Sequence, residues 1–142
     1  MSQPDVDVVL DQFAAVNERD FERAMDRYAE DVRLFASPAS GPKAGVFEGK
    51  EAVGEWFGDW FRTFAPGYRF EVEEARELDS GVIFVFAAHG GKGRMSGAAV
   101  RGETGYLYRV RKGKISQVGF YAGREEALEA AALPEWYGAQ TD

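Results

Sequence analysis

The sequence contains no cysteine and a single histidine, His89. Without cysteine the chain has no disulfide, no thiol nucleophile and no zinc–thiolate site, and one imidazole excludes any site that needs two. No apolar run approaches the roughly 20 residues that span a bilayer. The first residues also lack the basic-then-apolar order of a signal peptide. We therefore expect a cytoplasmic protein with no metal site, no cofactor and no membrane contact.

Positive charge is also scarce, because 17 Lys and Arg face 24 Asp and Glu and leave a net charge of −7. An acidic surface repels phosphates, so nucleic acid is not an expected partner. Aromatic residues are abundant, with 11 Phe, 6 Tyr and 3 Trp among 142 residues. That exceeds what the core of one domain needs. The length suits a single domain over 1–142, with a core over about 5–133 and a tail over 134–142.

The apolar spacing predicts helices in the first half of the chain and strands in the second. A helix over 5–17 is followed by a second helix that Asp20 caps and that carries Phe21, Met25 and Tyr28 on its inner face. A third, aromatic helix is predicted over 50–64. Strands are expected over 32–37, 68–78, 82–90, 98–111 and 114–122, before a last helix over 124–133. This order predicts an α+β fold with an antiparallel meander.

Both faces of the predicted strand 82–90 are apolar, since Phe84 and Phe86 alternate with Val85 and Ala87. The N-terminal helices cover only one face of a sheet. We therefore predict that the other face meets a second copy of the chain in a homodimer. Phe84 and Phe86 are assigned to the inner face. This parity places His89 on the outer face, near the dimer contact.

Five stretches carry a family resemblance: VNERDF at 16–21, YAEDV at 28–32, FEGKEAV at 47–53, GRMSG at 93–97, and YRVRKGKI at 108–115 running on to REEAL at 124–128. In these stretches the chain resembles the SnoaL-like branch of the nuclear transport factor 2 superfamily. The resemblance implies a curved antiparallel sheet wrapped around the N-terminal helices, a cone-shaped α+β barrel. It also implies an apolar pocket at the open end, the usual kind of site for a small ligand.

Projected onto this sequence, the resemblance implies a pocket wall of polar and aromatic side chains. They are Gln12, Val16, Tyr28, Trp56, Trp60, Phe84, Phe86, Tyr106, Tyr108 and Phe120. Trp56 and Trp60 suit either a helix core or stacking against a ligand. The expected partner is therefore a small hydrophobic or aromatic molecule.

The steroid isomerases of this superfamily use an aspartate base and two donors to the developing enolate oxygen. The resemblance places the base at Ala36, or at Ser37 if the register slips by one, and neither side chain can act as that base. The two donor positions correspond to Gln12 and Tyr106, which still offer an amide and a hydroxyl. We therefore assign Gln12 and Tyr106 as the catalytic residues of any reaction, and we disfavour steroid isomerisation.

Three functions remain open. The first is a cofactor-independent isomerase, cyclase or lyase that moves a proton on a small apolar molecule. The second is a module that binds such a molecule without chemistry. The third is a dimeric scaffold whose cavity its own side chains fill, with Trp136 and Tyr137 of the tail over the mouth. The polyketide cyclases of the superfamily use a pocket histidine, but the predicted outer position of His89 favours an interface role for it.

Overall fold

The computed structural model describes residues 3–38, 44–62, 67–92 and 99–133. Within these ranges the chain forms four helices and six strands, in the order α1 (Gln3–Asn17), α2 (Phe21–Asp26), β1 (Tyr28–Ala36), β2 (Gly45–Glu48), α3 (Lys50–Arg62), β3 (Arg69–Glu77), β4 (Ile83–Lys92), β5 (Ala99–Arg111), β6 (Lys114–Tyr121) and α4 (Arg124–Ala131). The segment 93–97, the predicted helix end at Phe64, and the tail with Trp136 and Tyr137 lie outside the described residues. None of the described helices is long and apolar enough to cross a membrane.

The second helix is shorter than predicted. Its N-cap is confirmed, because the Asp20 carboxylate accepts a hydrogen bond from the Arg23 backbone N–H at 3.2 Å. The helix ends at Asp26, and the Ile115 N–H donates to the Arg27 carbonyl at 2.7 Å, which joins the chain to the sheet. The prediction that Tyr28 lies on this helix is therefore wrong, since Tyr28 begins β1.

The six strands form one sheet in the order β2-β1-β6-β5-β4-β3. Strands β3 to β6 form the predicted antiparallel meander. Two features were not predicted: β1 runs parallel to β6, and the edge strand β2 pairs antiparallel with β1. A parallel neighbour requires a long crossover, here everything from β2 to β5. The local pattern of apolar residues does not indicate a pairing between strands so far apart in the sequence.

Helices α1 and α3 cover the inner face of the sheet. Phe13 of α1 and Trp56 of α3 belong to the main core, together with Val85 and Tyr106 of the strands. The end of α1 is attached to the first strand of the meander by Asn17. Its side-chain NH₂ donates to the Phe70 carbonyl and its amide oxygen accepts from the Phe70 N–H, both at 2.8 Å. This pair of bonds holds the end of α1 beside β3, an edge strand of the sheet.

Helix α4 covers the outer face. The buried residues between this helix and the sheet are Ala127 and Ala130 of α4 itself and, beneath it, Phe35, Val82, Phe84, Leu107 and Tyr121. The assignment of Phe84 and Phe86 to the inner face is therefore wrong, and so is the outer position of His89, because β4 presents the other alternating set inward. Since α4 supplies the cover that we expected from a second chain, that argument for a homodimer fails here. The homodimer itself stays a prediction.

Candidate functional site

A cavity of about 70 Å³ lies between α1, α3 and the inner face of the sheet. Its wall is largely aromatic and includes one imidazole, one amide and three hydroxyls. The lining residues are Gln12, Phe13, Val16, Ala36, Trp56, Phe57, Trp60, Phe61, Phe70, His89, Thr104, Tyr106, Tyr108 and Phe120. A concave, mostly apolar space with a few convergent polar groups is the usual architecture of a small-molecule site.

Seven of the ten predicted wall residues line this cavity: Gln12, Val16, Trp56, Trp60, Tyr106, Tyr108 and Phe120. Phe84 and Phe86 are on the opposite face of the sheet. Tyr28 is not on the wall either, because it stacks behind Phe57 with ring centroids 6.0 Å apart. The prediction of these three positions is therefore wrong. For Phe84 and Phe86 the wrong face of the strand was assigned, and Tyr28 was assigned to a helix although it begins β1.

The position that the resemblance assigns to an isomerase base carries only a methyl group. Ala36 lines the cavity, so no carboxylate enters from that point of β1. Its neighbour Ser37 is turned towards α4, where its hydroxyl donates to Glu126 Oε1 at 2.9 Å. A slip of register by one residue therefore supplies no base either.

Sequence reasoning missed three polar side chains at the site. Tyr68, His89 and Thr104 form a hydrogen-bonded chain: the Tyr68 hydroxyl is 2.6 Å from His89 Nδ1, and His89 Nε2 is 2.7 Å from Thr104 Oγ1. The Thr104 hydroxyl is hydrogen-bonded in turn to Tyr106. The available signal was alternation: Thr104 and Tyr106 share a strand face, and His89 shares one with Val85 and Ala87.

Two glycines make room for this chain. A Cβ on Gly91 would lie 2.7 Å from the Tyr68 Cα, and a Cβ on Gly102 would lie 3.0 Å from His89 Cε1. Both distances are too short for ordinary side-chain packing. The missing side chains therefore let Tyr68 and His89 approach the backbone of β4 and β5 closely.

The members of the chain are uncharged at neutral pH. Burial lowers the pKa of His89, and the nearby Glu103 carboxylate opposes that shift only in part. Burial raises the pKa of Tyr68 to about 12 and raises that of Tyr106 further. A neutral imidazole has one donor and one acceptor nitrogen. When the proton of His89 is on Nε2, its Nδ1 accepts from the Tyr68 hydroxyl and its Nε2–H donates to Thr104. The Thr104 hydroxyl then donates to the Tyr106 oxygen, so the Tyr106 hydroxyl proton is available to a ligand.

The Gln12 amide is the second polar group aimed at the cavity. Gln12 is 5% exposed, and its amide makes no hydrogen bond to another residue of the described ranges. Buried amides normally find a partner. Gln12 and Tyr106 therefore offer two hydrogen-bonding groups to whatever fills the space. No group of three or more His, Asp or Glu that could hold a metal occurs in the part of the chain that is described.

We expect the stability of the protein to fall as the pH drops below about 6.5, the pKa of an unfolded histidine. The folded state keeps His89 neutral, so the unfolded chain takes up more protons there and acid favours unfolding. Because His89 is the only histidine, an NMR titration of its ring measures the effect directly. Its midpoint should lie below 6.5.

The matched control for this pH effect is His89→Gln, which retains a donor and an acceptor. Its free energy of unfolding, measured in urea between pH 7.5 and pH 5, should depend less on pH than that of the wild type. Asp11 and Glu74 also have lowered pKa values, through their arginine partners. Their loss of stability begins only below about pH 4.5, outside this window. A ring midpoint at or above 6.5 contradicts the assigned environment.

The sequence model of the SnoaL-like domain family matches residues 9–118. Among solved structures, Bal32a from a soil-derived mobile gene cassette is 15% identical with a TM-score of 0.74, covering 84% of this chain and 89% of its own. TerC, co-crystallised with polyporic acid, is 18% identical with a TM-score of 0.72, covering 89% and 96%. RV0760c from Mycobacterium tuberculosis, in complex with estradiol-17beta-hemisuccinate, is 21% identical with a TM-score of 0.70, covering 86% and 95%. No curated protein sequence matches. At such low sequence identities, the TM-scores show that these proteins share the fold of this chain.

Proposed function

Because the chain belongs to the SnoaL-like domain family, whose relatives are of ligand-binding and cyclase type, we propose that it binds a small, uncharged aromatic molecule that carries an oxygen acceptor. One observation carries the proposal. The Tyr106 hydroxyl faces an aromatic cavity and is hydrogen-bonded to Thr104, which belongs to a chain of partly buried hydrogen bonds through His89 to Tyr68.

The wall of the cavity determines the charge of this ligand. None of the described lining residues is Asp, Glu, Lys or Arg, and His89 is neutral at physiological pH. A charged group buried here without a partner would lose much more hydration energy than a hydroxyl or an amide could return. The buried part of the ligand is therefore uncharged.

Hydrogen-bonding groups determine the ligand's polar atom. Tyr106 retains its proton because burial raises its pKa, so it donates to an oxygen. The Gln12 NH₂ is a second donor in the same wall. Around them, Phe13 lies edge-on to Tyr106 at 5.1 Å, and Trp56 is 5.1 Å from Phe120. Such surfaces favour a flat ring that presents a carbonyl.

Two proteins of the same fold support a ring-shaped ligand, since TerC was crystallised with polyporic acid and RV0760c with a steroid derivative. The ligands of these two proteins are not assigned to this chain, because the sequences differ at most positions. Among the interpretations left open by the sequence, a cavity lined by the Gln12 amide and the Tyr106 hydroxyl favours binding over a scaffold whose interior is already full.

Proton-transfer catalysis is the second candidate, and the Tyr68–His89–Thr104–Tyr106 chain favours it. That chain can pass a proton towards the cavity. However, both nitrogens of His89 are engaged in hydrogen bonds, and Ala36 occupies the position of the isomerase base. A base within about 3 Å of a carbon-bound proton is what such a reaction needs. Binding is therefore the function that we put first.

The test uses acetophenone and ethylbenzene, which have similar shapes and differ in the carbonyl. The wild type should bind acetophenone about tenfold more tightly, the typical effect of one net hydrogen bond. Tyr106→Phe should remove that preference while ethylbenzene binding stays unchanged. Titration calorimetry or ligand-observed NMR measures both affinities. The control is Tyr28→Phe, another buried tyrosine that is not on the wall.

Equal binding of the two probes by the wild type, or an unchanged preference in Tyr106→Phe, would sink the proposal. The same samples in D₂O separate the two candidate functions, because enolisation exchanges the methyl protons of acetophenone. Exchange by the wild type that His89→Gln lacks would establish catalysis as the primary role. Binding without exchange supports the ligand-binding function.

A further inference from the structure

A second apolar space lies next to the cavity, on its helical side. This groove of about 360 Å³ is bounded by α1, α2 and α3. Four of its lining residues, Gln12, Val16, Phe57 and Phe61, also line the cavity. These shared side chains form the partition between the two spaces, so a small movement of the partition joins them.

Volume gives a reason for the two spaces to act together. A cavity of about 150 Å³ is what a benzene molecule occupies in an apolar protein interior, and the cavity described above measures about 70 Å³. A ring bound at Tyr106 must therefore displace part of the wall. The groove behind the partition is about 360 Å³, which offers space for the remainder of the molecule.

Helix α3 shapes the groove through two glycines, Gly54 and Gly58, which stand one turn apart on it. A Cβ at Gly54 would lie 3.4 Å from Met25 Cε, and a Cβ at Gly58 would meet only Arg62, 3.6 Å away. Glycine in a helix interior is unfavourable by about 1 kcal/mol relative to alanine. Two such positions facing one groove keep open a volume that ordinary helix residues would fill.

We infer that the groove between α1, α2 and α3 is a second subsite, which takes an unbranched apolar tail of the molecule whose ring occupies the cavity. The inference rests on the proposed function and extends it: the ligand is an elongated molecule with a carbonyl-bearing ring at one end and an alkyl chain at the other. The chain lies along Gly54 and Gly58, beside the Met25 side chain. Its end lies near the guanidinium of Arg62, at the outer rim.

The partition explains how the two parts connect. Phe57 and Phe61 are half-buried and stacked, with ring centroids 6.4 Å apart and planes at 25°. Exposed side chains exchange rotamers in picoseconds to nanoseconds, and Phe61 lies at the more exposed end of α3. Rotation of one ring opens a passage for a methylene chain while the other ring remains in contact with it. The apolar groove offers that chain burial from water.

The test measures the affinity of 4-n-alkylacetophenones, from the methyl to the hexyl compound, by titration calorimetry. For the wild type, affinity should rise about fourfold per added methylene until the groove is full. Gly58→Leu should bind acetophenone as the wild type does and lose most of the gain from the longer chains. Gly58→Ala is the matched control: it has the same helix benefit, adds little volume and should retain the gain.

A second measurement uses the unaltered protein and does not depend on how the leucine variant folds. In the complex with 4-hexylacetophenone, the methylenes of the chain should show a nuclear Overhauser effect to the Met25 methyl. An affinity that does not rise with chain length in the wild type overturns the subsite, as does an equal rise in Gly58→Leu. Failure of acetophenone itself to bind overturns the proposed function and the subsite with it.

Discussion

Phe84→Ala is expected to lower the free energy of unfolding by about 3–5 kcal/mol, the usual cost of removing a fully buried phenyl ring. Phe84 is 0% exposed and lies in the outer core with Phe35, Leu107 and Tyr121. The backbone around it cannot collapse into the space, because the ring lies between the sheet and α4. Urea unfolding of the wild type and the variant measures the loss.

Two guanidinium groups add to the confinement of this ring. Arg76 and Arg124 lie over it, with their Cζ atoms 5.7 and 5.4 Å from the ring centroid. Glu74 is paired with both arginines and holds them in place. Removing the ring leaves these charges above an empty space, where they lose the favourable contact with the aromatic face.

The same variant tests which face of the sheet belongs to the site. Acetophenone affinity per folded molecule should be unchanged in Phe84→Ala, because the ring is separated from the cavity by the sheet. Phe21→Ala is the control for ring removal as such, since Phe21 is 42% exposed. It should cost about 1 kcal/mol or less. A stable Phe84→Ala protein with altered acetophenone affinity would contradict the assignment of Phe84 to the outer face and place it on the cavity wall.

Gly105→Ala is expected to destabilise the protein by about 3 kcal/mol, near the upper end of overpacking effects. An added Cβ would lie 2.5 Å from the Gly123 carbonyl oxygen and 2.7 Å from the Ala127 Cβ. Both neighbours are backbone or directly attached to it. The strain is relieved only if α4 moves away from the sheet, which exposes the outer core.

The control for the methyl group is Gly67→Ala, where a Cβ would have no neighbour within 4 Å among the described residues. Its unfolding free energy should equal that of the wild type within about 0.5 kcal/mol. Exposure of the outer core in Gly105→Ala should appear as increased binding of a hydrophobic dye. Wild-type stability in Gly105→Ala would contradict the close contact between β5 and α4.

Much of the fold was readable because its signals are local. The Asp20 cap, the aromatic stripe of α3 and the period-two strands of the meander each involve residues near one another in sequence. The parallel pairing of β1 with β6 and the short β2 involve partners far apart or too few residues, so no local pattern marks them. The helix predicted at Tyr28 failed because a tertiary hydrogen bond, from Ile115 to Arg27, competed with helical spacing.

Only part of the site could be predicted from the sequence, because the sequence did not show which face of β4 points inward. Both alternating sets of β4 are apolar, so hydrophobicity did not distinguish the inner face from the outer, and shifting the choice by one residue exchanges every side chain. That single choice misplaced Phe84, Phe86 and His89 together. Gln12 and Tyr106 were placed on the cavity wall because the family resemblance supplied the parity for those positions.

By itself the sequence determined the α+β class, the order of most elements, the lack of thiol and multi-histidine chemistry, and the aromatic character of the interior. Only the tertiary structure decided that Tyr68, His89, Thr104 and Tyr106 form one hydrogen-bonded chain, that α4 covers the outer face, and that a groove adjoins the cavity. Composition and local spacing constrain what each element is. Which faces meet depends on strand register and on the docking of helices, and these are properties of pairs of segments distant in the chain.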